Sequence, residues 1–365
     1  MAEIRIENLH KNFGSFTAVR DSTFKVPDGA FFCLLGPSGC GKTTTLRMIA
    51  GLELPSAGRI LLGGKDVTDD RASARDIAFV FQLFALYPHM NVRKNIAYPL
   101  ASAGVKFAEI RQRVEDTARI LRIDHLLDRK ISSLSGGDRQ RVALGRAIVR
   151  RPLAFLMDEP LGALDAEFRH IMCGELRSLH DRIRATTVYV THDQLEAMSL
   201  ADQIAIMNGG VVEQLDTPRN IYARPATTFV ADFIGNPAMN LVSCFGDLRR
   251  GRPTLNLGDI QVGIPDPVDT VSERKLVLGV RPEDVRLSDA ALLRGEVFGS
   301  EYMGSMQIVT LTTAHGRIRA RLPASTKIGI GDQIGMSFAS DKLSVFDAET
   351  GRAIRSKLHE DAAHG

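Results

Sequence analysis

The chain has 365 residues, 44% hydrophobic and 24% charged, with 46 basic residues against 43 acidic for a net charge of +3. This length predicts two domains, the composition excludes a disordered chain, and the near-balanced charge argues against a general nucleic-acid binder driven by counterion release. No apolar run reaches the roughly 20 residues needed to cross a bilayer, and four cysteines without a Cys-x-x-Cys pair or metal-like spacing to the nine histidines argue against a disulfide scaffold or zinc site and fit a reducing cytoplasm.

At the start, Ile4 and Ile6 alternate with charged neighbours and no secretory core is present. A strand-length apolar run at 30–35 leads into Gly36-Pro37-Ser38-Gly39-Cys40-Gly41-Lys42-Thr43, and a helical segment with Thr44 at its start stops at Gly51. Glycines at this spacing let successive N–H groups turn inward on phosphate oxygens, and the helix adds the positive end of its dipole. Lys42 is expected to reach the β- and γ-phosphates, Thr43 to ligate magnesium, and Cys40 to offer only its backbone.

Further apolar runs at 77–81, 153–157, 187–190 and 204–207 read as buried strands of a largely parallel sheet. Between them, Ile110, Val114, Thr117, Ala118 and Leu121 line one helical face, and Phe168, Ile171, Met172, Leu179 and Ile183 another, both read as core packing. The run at 153–157 ends in Asp158-Glu159, two carboxylates at a strand end. Asp158 can hold magnesium and Glu159 can polarise a water for attack on the γ-phosphate. His192 follows the next strand, at the same sheet edge, where it can contact the γ-phosphate or orient that water. Asn208-Gly209-Gly210 reads as a hairpin turn, and Thr217-Pro218 as a helix start. Near Gly235-Asn236-Pro237 the texture changes to short β-like pieces at 275–280, 307–312, 317–322 and 334–338. The expected division is a first domain over 1–235 with a helical part at about 84–150, a β domain over 236–355, and a frayed tail over 356–365.

About 20 residues before Asp158 stands Leu134-Ser135-Gly136-Gly137-Asp138-Arg139-Gln140-Arg141. A Ser-Gly-Gly turn opening a helix is a second anion site. With the phosphate loop, Gln82, Asp158-Glu159, Leu164-Asp165 and His192 in this order, the chain resembles the ATP-binding-cassette ATPases. The resemblance implies an α/β P-loop nucleotide hydrolase domain with a mostly parallel sheet and a helical subdomain, followed by a small all-β, OB-like domain. It also implies that Ser135, Gly136 and Gly137 of one subunit close over ATP held by another. Phe13 would stack on adenine, the blander alternative being a buried core aromatic. Gln82 would touch magnesium and the attacking water, Asp165 would reach across the dimer, and 84–90 would receive a helix of a membrane partner.

The strings at 36–51, 85–90, 95–97, 279–284 and 346–351 resemble the maltose-type carbohydrate-importer ATPases. That branch implies ATP and Mg2+ as cofactors, two membrane-spanning permease partners and a second ATPase copy, identical or paralogous. An extracytoplasmic solute-binding protein would act indirectly, and the chain would sit peripherally on the cytoplasmic face of the inner membrane. Arg281-Pro282-Glu283-Asp284 reads equally as a regulatory site or as a plain turn. Two departures are Asp138, where the family has Gln, and Gly162-Ala163, where relatives often carry Ser-Asn. Other cargo, such as polyamine or ferric ion, shares this plan, and a cassette ATPase acting on nucleic acid or ribosomes is a rival of another class. Against that rival, only about 90 residues, without sustained heptads, separate phosphate loop and Ser-Gly-Gly turn. The arginines after that turn lack interleaved aromatics.

Overall fold

A computed structural model describes residues 2–81, 85–162, 164–248, 254–268 and 270–357. Gln82 and Ala163 lie outside them. Contacts divide the chain into two compact units, Met1–Pro218 and Arg219–Gly365.

The first unit opens with β1 (Ile4–Phe13) and β2 (Phe16–Val26), then β3 (Phe31–Leu35) and α1 (Lys42–Ala50). Three strands follow, β4 (Ala57–Leu62), β5 (Lys65–Asp66) and β6 (Ile77–Val80), and then α2 (Val92–Ser102), α3 (Phe107–Ile120) and α4 (Gly136–Ile148). The unit closes with β7 (Ala154–Asp158), α5 (Ala166–Ile183), β8 (Thr186–Thr191), α6 (Gln194–Leu200), β9 (Gln203–Asn208) and β10 (Val211–Asp216).

Six of these strands form one sheet in the order β10-β9-β3-β8-β7-β6, parallel except for β10, which returns through the two-residue Gly209-Gly210 turn. β3 and β8 are buried at every residue, as strands covered on both faces must be. A separate antiparallel sheet, β2-β1-β4-β5, was visible in the sequence only as the Ile4/Ile6 alternation. One core joins the two sheets: Ile4, Ile6 and Val26 pack with Phe32, Leu34, Val188 and Val190, and with Leu46 and Met48 of α1. Each such side chain contributes about 1.5–3 kcal/mol by leaving water. On α5 the buried stripe is Met172, Cys173, Leu176, Leu179 and His180, whereas Ile171 is half exposed. The helix turns that residue away from the sheet, contrary to the expected stripe.

The second unit begins with α7 (Pro218–Ala223) and α8 (Thr228–Phe233). It continues with β11 (Asn240–Leu248), β12 (Thr254–Leu257), β13 (Ile260–Gly263), β14 (Val271–Val280) and β15 (Val285–Leu287). The last strands are β16 (Leu293–Tyr302), β17 (Met306–Thr313), β18 (Gly316–Pro323), β19 (Gln333–Phe338) and β20 (Ser344–Asp347). Two five-stranded sheets, β13-β12-β11-β14-β20 and β15-β19-β16-β17-β18, share a core that includes Val242, Leu278, Val297 and Val309.

The division at Pro218 falls before the expected 235, and Arg281 supplies a reason. Its guanidinium is 3% exposed, lies 4.1 Å over the Tyr222 ring, and donates to Tyr222 O at 2.6 Å and Ile234 O at 2.5 Å. The carbonyl ends of α7 and α8 are thereby capped from the β14–β15 turn. Arg281 thus has a structural role in this turn. At the first two residues of the expected tail, Ser356 bridges Pro267 and Lys357 Nζ pairs with Asp266 at 3.0 Å.

Candidate nucleotide-binding and hydrolysis site

Parallel register brings three loops to one sheet edge. Leu35 stands level with Thr191, and Asp158 with Val190, so the turns after β3, β7 and β8 open side by side at the carboxyl ends of the strands, where α/β sheets hold ligands.

The turn after β3 closes tightly. A side chain at Gly36 would meet Met207 O at 2.2 Å, so only glycine lets the loop pass over β9. α1 then starts at Lys42 with no side chain capping it and no acidic residue in its first turn. Its first N–H groups, including those of Thr43 and Thr44, are therefore suited to an incoming anion. Lys42 is 5% exposed, and its Nζ donates to Gly36 O at 2.8 Å and Pro37 O at 2.9 Å. The ammonium is held by the loop it serves, and phosphate oxygens are its stronger alternative partners. Ser38 and Gly39 form the exposed tip. Cys40 is buried, and that burial pushes its thiol up, which leaves it inert.

At the end of β7, Thr43 Oγ1 donates to Asp158 Oδ1 at 3.0 Å. Burial, more than any other influence, pushes the Asp158 carboxyl up, and a cation beside it would reverse that penalty. No group of three or more His, Cys, Asp or Glu among the described residues could hold a metal ion. A hydroxyl and one carboxylate suit a small hard cation that keeps its waters and takes its other ligands from phosphates.

Glu159 has φ +43°, a left-handed conformation that costs a non-glycine residue of order 1–3 kcal/mol and recurs at functional sites. Its N–H donates to Val190 O at 3.0 Å, and its Oε1 lies 3.1 Å from His192 Nδ1. The pair can hold a water between base and γ-phosphate. Lys42, Thr43, Asp158, Glu159 and His192 are thus brought together as the sequence predicts.

Ser135 and Asp165 each open a further helix. Ser135 caps α4 by accepting from Asp138 N, and Asp165 caps α5 by accepting from Phe168 N at 2.9 Å. The two caps adjoin, since a side chain at Gly137 would lie 2.0 Å from the Phe168 ring and one at Gly136 would touch Leu164. Among the described residues, no hydrogen bond or ion pair joins Ser135 to Lys42 or Thr43. Phe13 ends β1 at 47% exposed, so the buried-core alternative fails, and the Lys11 ammonium lies over one face of its ring at 4.8 Å. Gln82 lies outside the described residues.

Comparison with known proteins agrees with this layout. The ABC transporter family matches residues 19–162 and the TOBE domain residues 278–346. The trehalose/maltose import ATP-binding protein MalK of Thermococcus litoralis is 45% identical over 97% of this chain and 100% of its own length. The chain belongs to the ABC transporter ATP-binding proteins. The trehalose import ATP-binding protein SugC of Mycobacterium tuberculosis is 44% identical over 96% of this chain and 98% of its own. The sn-glycerol-3-phosphate import ATP-binding protein UgpC of Rhodopseudomonas palustris is 45% identical over 97% and 100%. Among solved structures, cbiO1 of Clostridium perfringens, part of the ABC transporter complex cbiONQ, superposes with TM-score 0.57 at 26% identity, covering 60% of this chain and 90% of that one.

This ABC ATPase also carries a groove of about 700 Å³ beside β6, lined by Leu52, Phe79, Phe81, Tyr87, Tyr98 and Arg146 among others. Asn95, fully buried on α2, exchanges hydrogen bonds with the Tyr87 backbone and so fixes one wall. Sequence reasoning missed Arg169, which meets both Asp193 and Glu196. Its signal was the three-residue step from Asp193, the cap of α6, to Glu196, which sets the two carboxylates about one helical turn apart.

Proposed function

We propose that this ATPase drives uptake of a carbohydrate, polyol or glycerol-phosphate-like solute through two membrane-spanning permease subunits, working as a pair of ATPase copies on the cytoplasmic face of the inner membrane. The supporting observation is that Ser135 and Asp165 cap two further helices and, among the described residues, share no hydrogen bond or ion pair with Lys42 or Thr43. Lys42, Thr43, Asp158 and Glu159 cluster at one sheet edge, while Ser135, Gly136, Gly137 and Asp165 cluster at two other helix starts. A triphosphate on the Lys42 loop would be closed over by the Ser135 turn of the facing copy, so ATP would hold two copies together and hydrolysis would release them.

In this reading Lys42 and the α1 N-terminus bind the phosphates, Phe13 stacks on adenine, and Glu159 takes the proton of the attacking water while His192 orients it. Thr43, Asp158 and Gln82 would hold Mg2+, which supplies charge neutralisation on the phosphates. No helix among the described residues is long and apolar enough to cross a membrane, which supports borrowed permeases, and the groove beside β6 offers them an apolar seat. A periplasmic or lipid-anchored solute-binding protein would deliver cargo to those permeases. The relatives named for trehalose, maltose and glycerol phosphate support the cargo class.

The test is reconstitution with the neighbouring permease and solute-binding chains, measuring which solute raises ATP turnover. Stimulation by a sugar, polyol or glycerol phosphate is expected. Stimulation only by polyamine or ferric ion would replace the cargo, and stimulation only by nucleic acid or ribosomes would overturn the reading.

A further inference from the structure

Two loops flank the Glu159–His192 pair, Leu164-Asp165 ahead of α5 and His192-Asp193 ahead of α6, and one side chain grips both. Arg169 Nη2 donates to Leu164 O at 2.9 Å, and Nη1 donates to Asp193 Oδ2 at 3.0 Å. Its Nε lies 3.6 Å from Glu196 Oε1. Glu196 is 4% exposed, and its Oε2 accepts from Tyr189 OH at 2.8 Å and Thr191 Oγ1 at 2.7 Å. Thr191 Oγ1 in turn accepts from Asp193 N at 3.0 Å, and Thr191 directly precedes His192. On the other side, Asp165 O accepts from Arg169 N at 2.9 Å. A continuous set of polar contacts therefore runs from Asp165 through Arg169, Asp193, Glu196 and Thr191 to the residue that meets Glu159.

We infer that Arg169 is a positioning residue that makes the loop presented to the second ATPase copy and the loop that orients the hydrolytic pair move as one. It rests on the reading of Glu159 and His192 as that pair. Arg169 is assigned no contact with ATP. Its planar guanidinium presents donors in a fixed fork, so a displacement of Leu164-Asp165 by the facing copy is carried to Asp193 and then to His192. A flexible lysine could balance the charge of Glu196 but could not span both loops with the same geometry. Misplacing a reacting group by about 1 Å costs on the order of 100-fold in rate, so this linkage can decide whether a half-assembled pair hydrolyses ATP.

A double-mutant cycle on the full-length chain tests the coupling, with Arg169→Met and Asp193→Asn (which removes the carboxylate oxygen that accepts from Arg169 Nη1) alone and together, read by single-turnover hydrolysis and by the ATP concentration dependence. Each single variant is expected to lose about 10- to 100-fold in rate with KM within about 3-fold. The double variant should be no slower than the worse single, because both cut the same linkage. Rate losses that multiply would overturn the inference. Arg169→Lys should remain within about 3-fold of Arg169→Met, and full activity in Arg169→Lys would assign the residue to charge balance alone. Arg169→Met combined with Glu196→Gln guards against simple misfolding. Recovered thermal stability with hydrolysis still slow supports positioning, and recovery of both overturns it. Normal hydrolysis by Glu159→Gln would instead remove the reading of the hydrolytic pair, an outcome distinct from a multiplicative cycle.

Discussion

Ser135 Oγ donates to Asp138 Oδ2 at 2.7 Å, and Arg141 Nη1 meets the other carboxylate oxygen at 3.1 Å. The departure at position 138 is therefore a carboxylate that holds the proton of the very hydroxyl expected to face phosphate. Arg141 is itself shared with Glu175 through Nε at 3.0 Å and Nη2 at 2.9 Å, so the negative charge is partly neutralised on the side away from Ser135. Replacing Asp138 with Gln should free the Ser135 hydroxyl. One released hydrogen bond is about 1 kcal/mol, or roughly fivefold, so turnover at subsaturating ATP should rise by that order. An unchanged rate would mean that this carboxylate takes no part in closure.

Lys42→Ala removes the buried ammonium from Gly36 O and Pro37 O. ATP turnover should fall at least about 100-fold. Retained turnover would place the phosphates elsewhere.

Glu159→Gln keeps the shape of the side chain and an oxygen for His192 but cannot take a proton. With ATP, this variant should run as a dimer in size-exclusion chromatography, while the parent chain cycles back to monomer. Rapid continued hydrolysis would assign the base to another group.

Arg281 should be the costliest single truncation in the second unit. Arg281→Met leaves the carbonyls of Tyr222 and Ile234 buried without donors, a loss of roughly 3–5 kcal/mol by comparison with broken buried charge contacts. Urea unfolding followed in the isolated variant should show that loss. A change below about 1 kcal/mol would mean that other groups cap α7 and α8.

Asp284, 7% exposed with Lys342 Nζ at 3.2 Å, has its carboxyl pushed up by burial. A folded-state value above the unfolded one, which lies near about 4, makes the contribution favourable below that pH and lost as pH rises through the folded value. Asp284→Asn should therefore melt higher than the parent at pH 7, with the two melting curves converging as pH falls toward about 4. A lower melting temperature at pH 7 would show that the Lys342 pair outweighs the burial.

How much was legible in the chain varies with the range of the forces involved. Buried strands such as Phe31–Leu35 and Thr186–Thr191 announce themselves because a strand covered on both faces has to be apolar throughout. The phosphate loop does so because only glycine can pass under Met207 O. β1, β2 and β4 were less visible, since register shifts interrupt their alternation. Ile171 misled because helical spacing defines a stripe but not which side of it faces the sheet.

Residue order alone was enough to predict two units and a largely parallel α/β core and to single out Lys42, Thr43, Asp158, Glu159 and His192 as candidates at one sheet edge, because strand, turn and helix signals are local. Folding in three dimensions was needed to decide that Asp138 binds Ser135 and Arg141, that Phe13 is half exposed beneath Lys11, and that Arg281 ties α7 and α8 to the β unit. It also decided that Arg169 bridges two loops. Each of these depends on where side chains distant in sequence or a turn apart come to rest, and hydrogen bonds and ion pairs a few ångströms long leave no periodicity behind them.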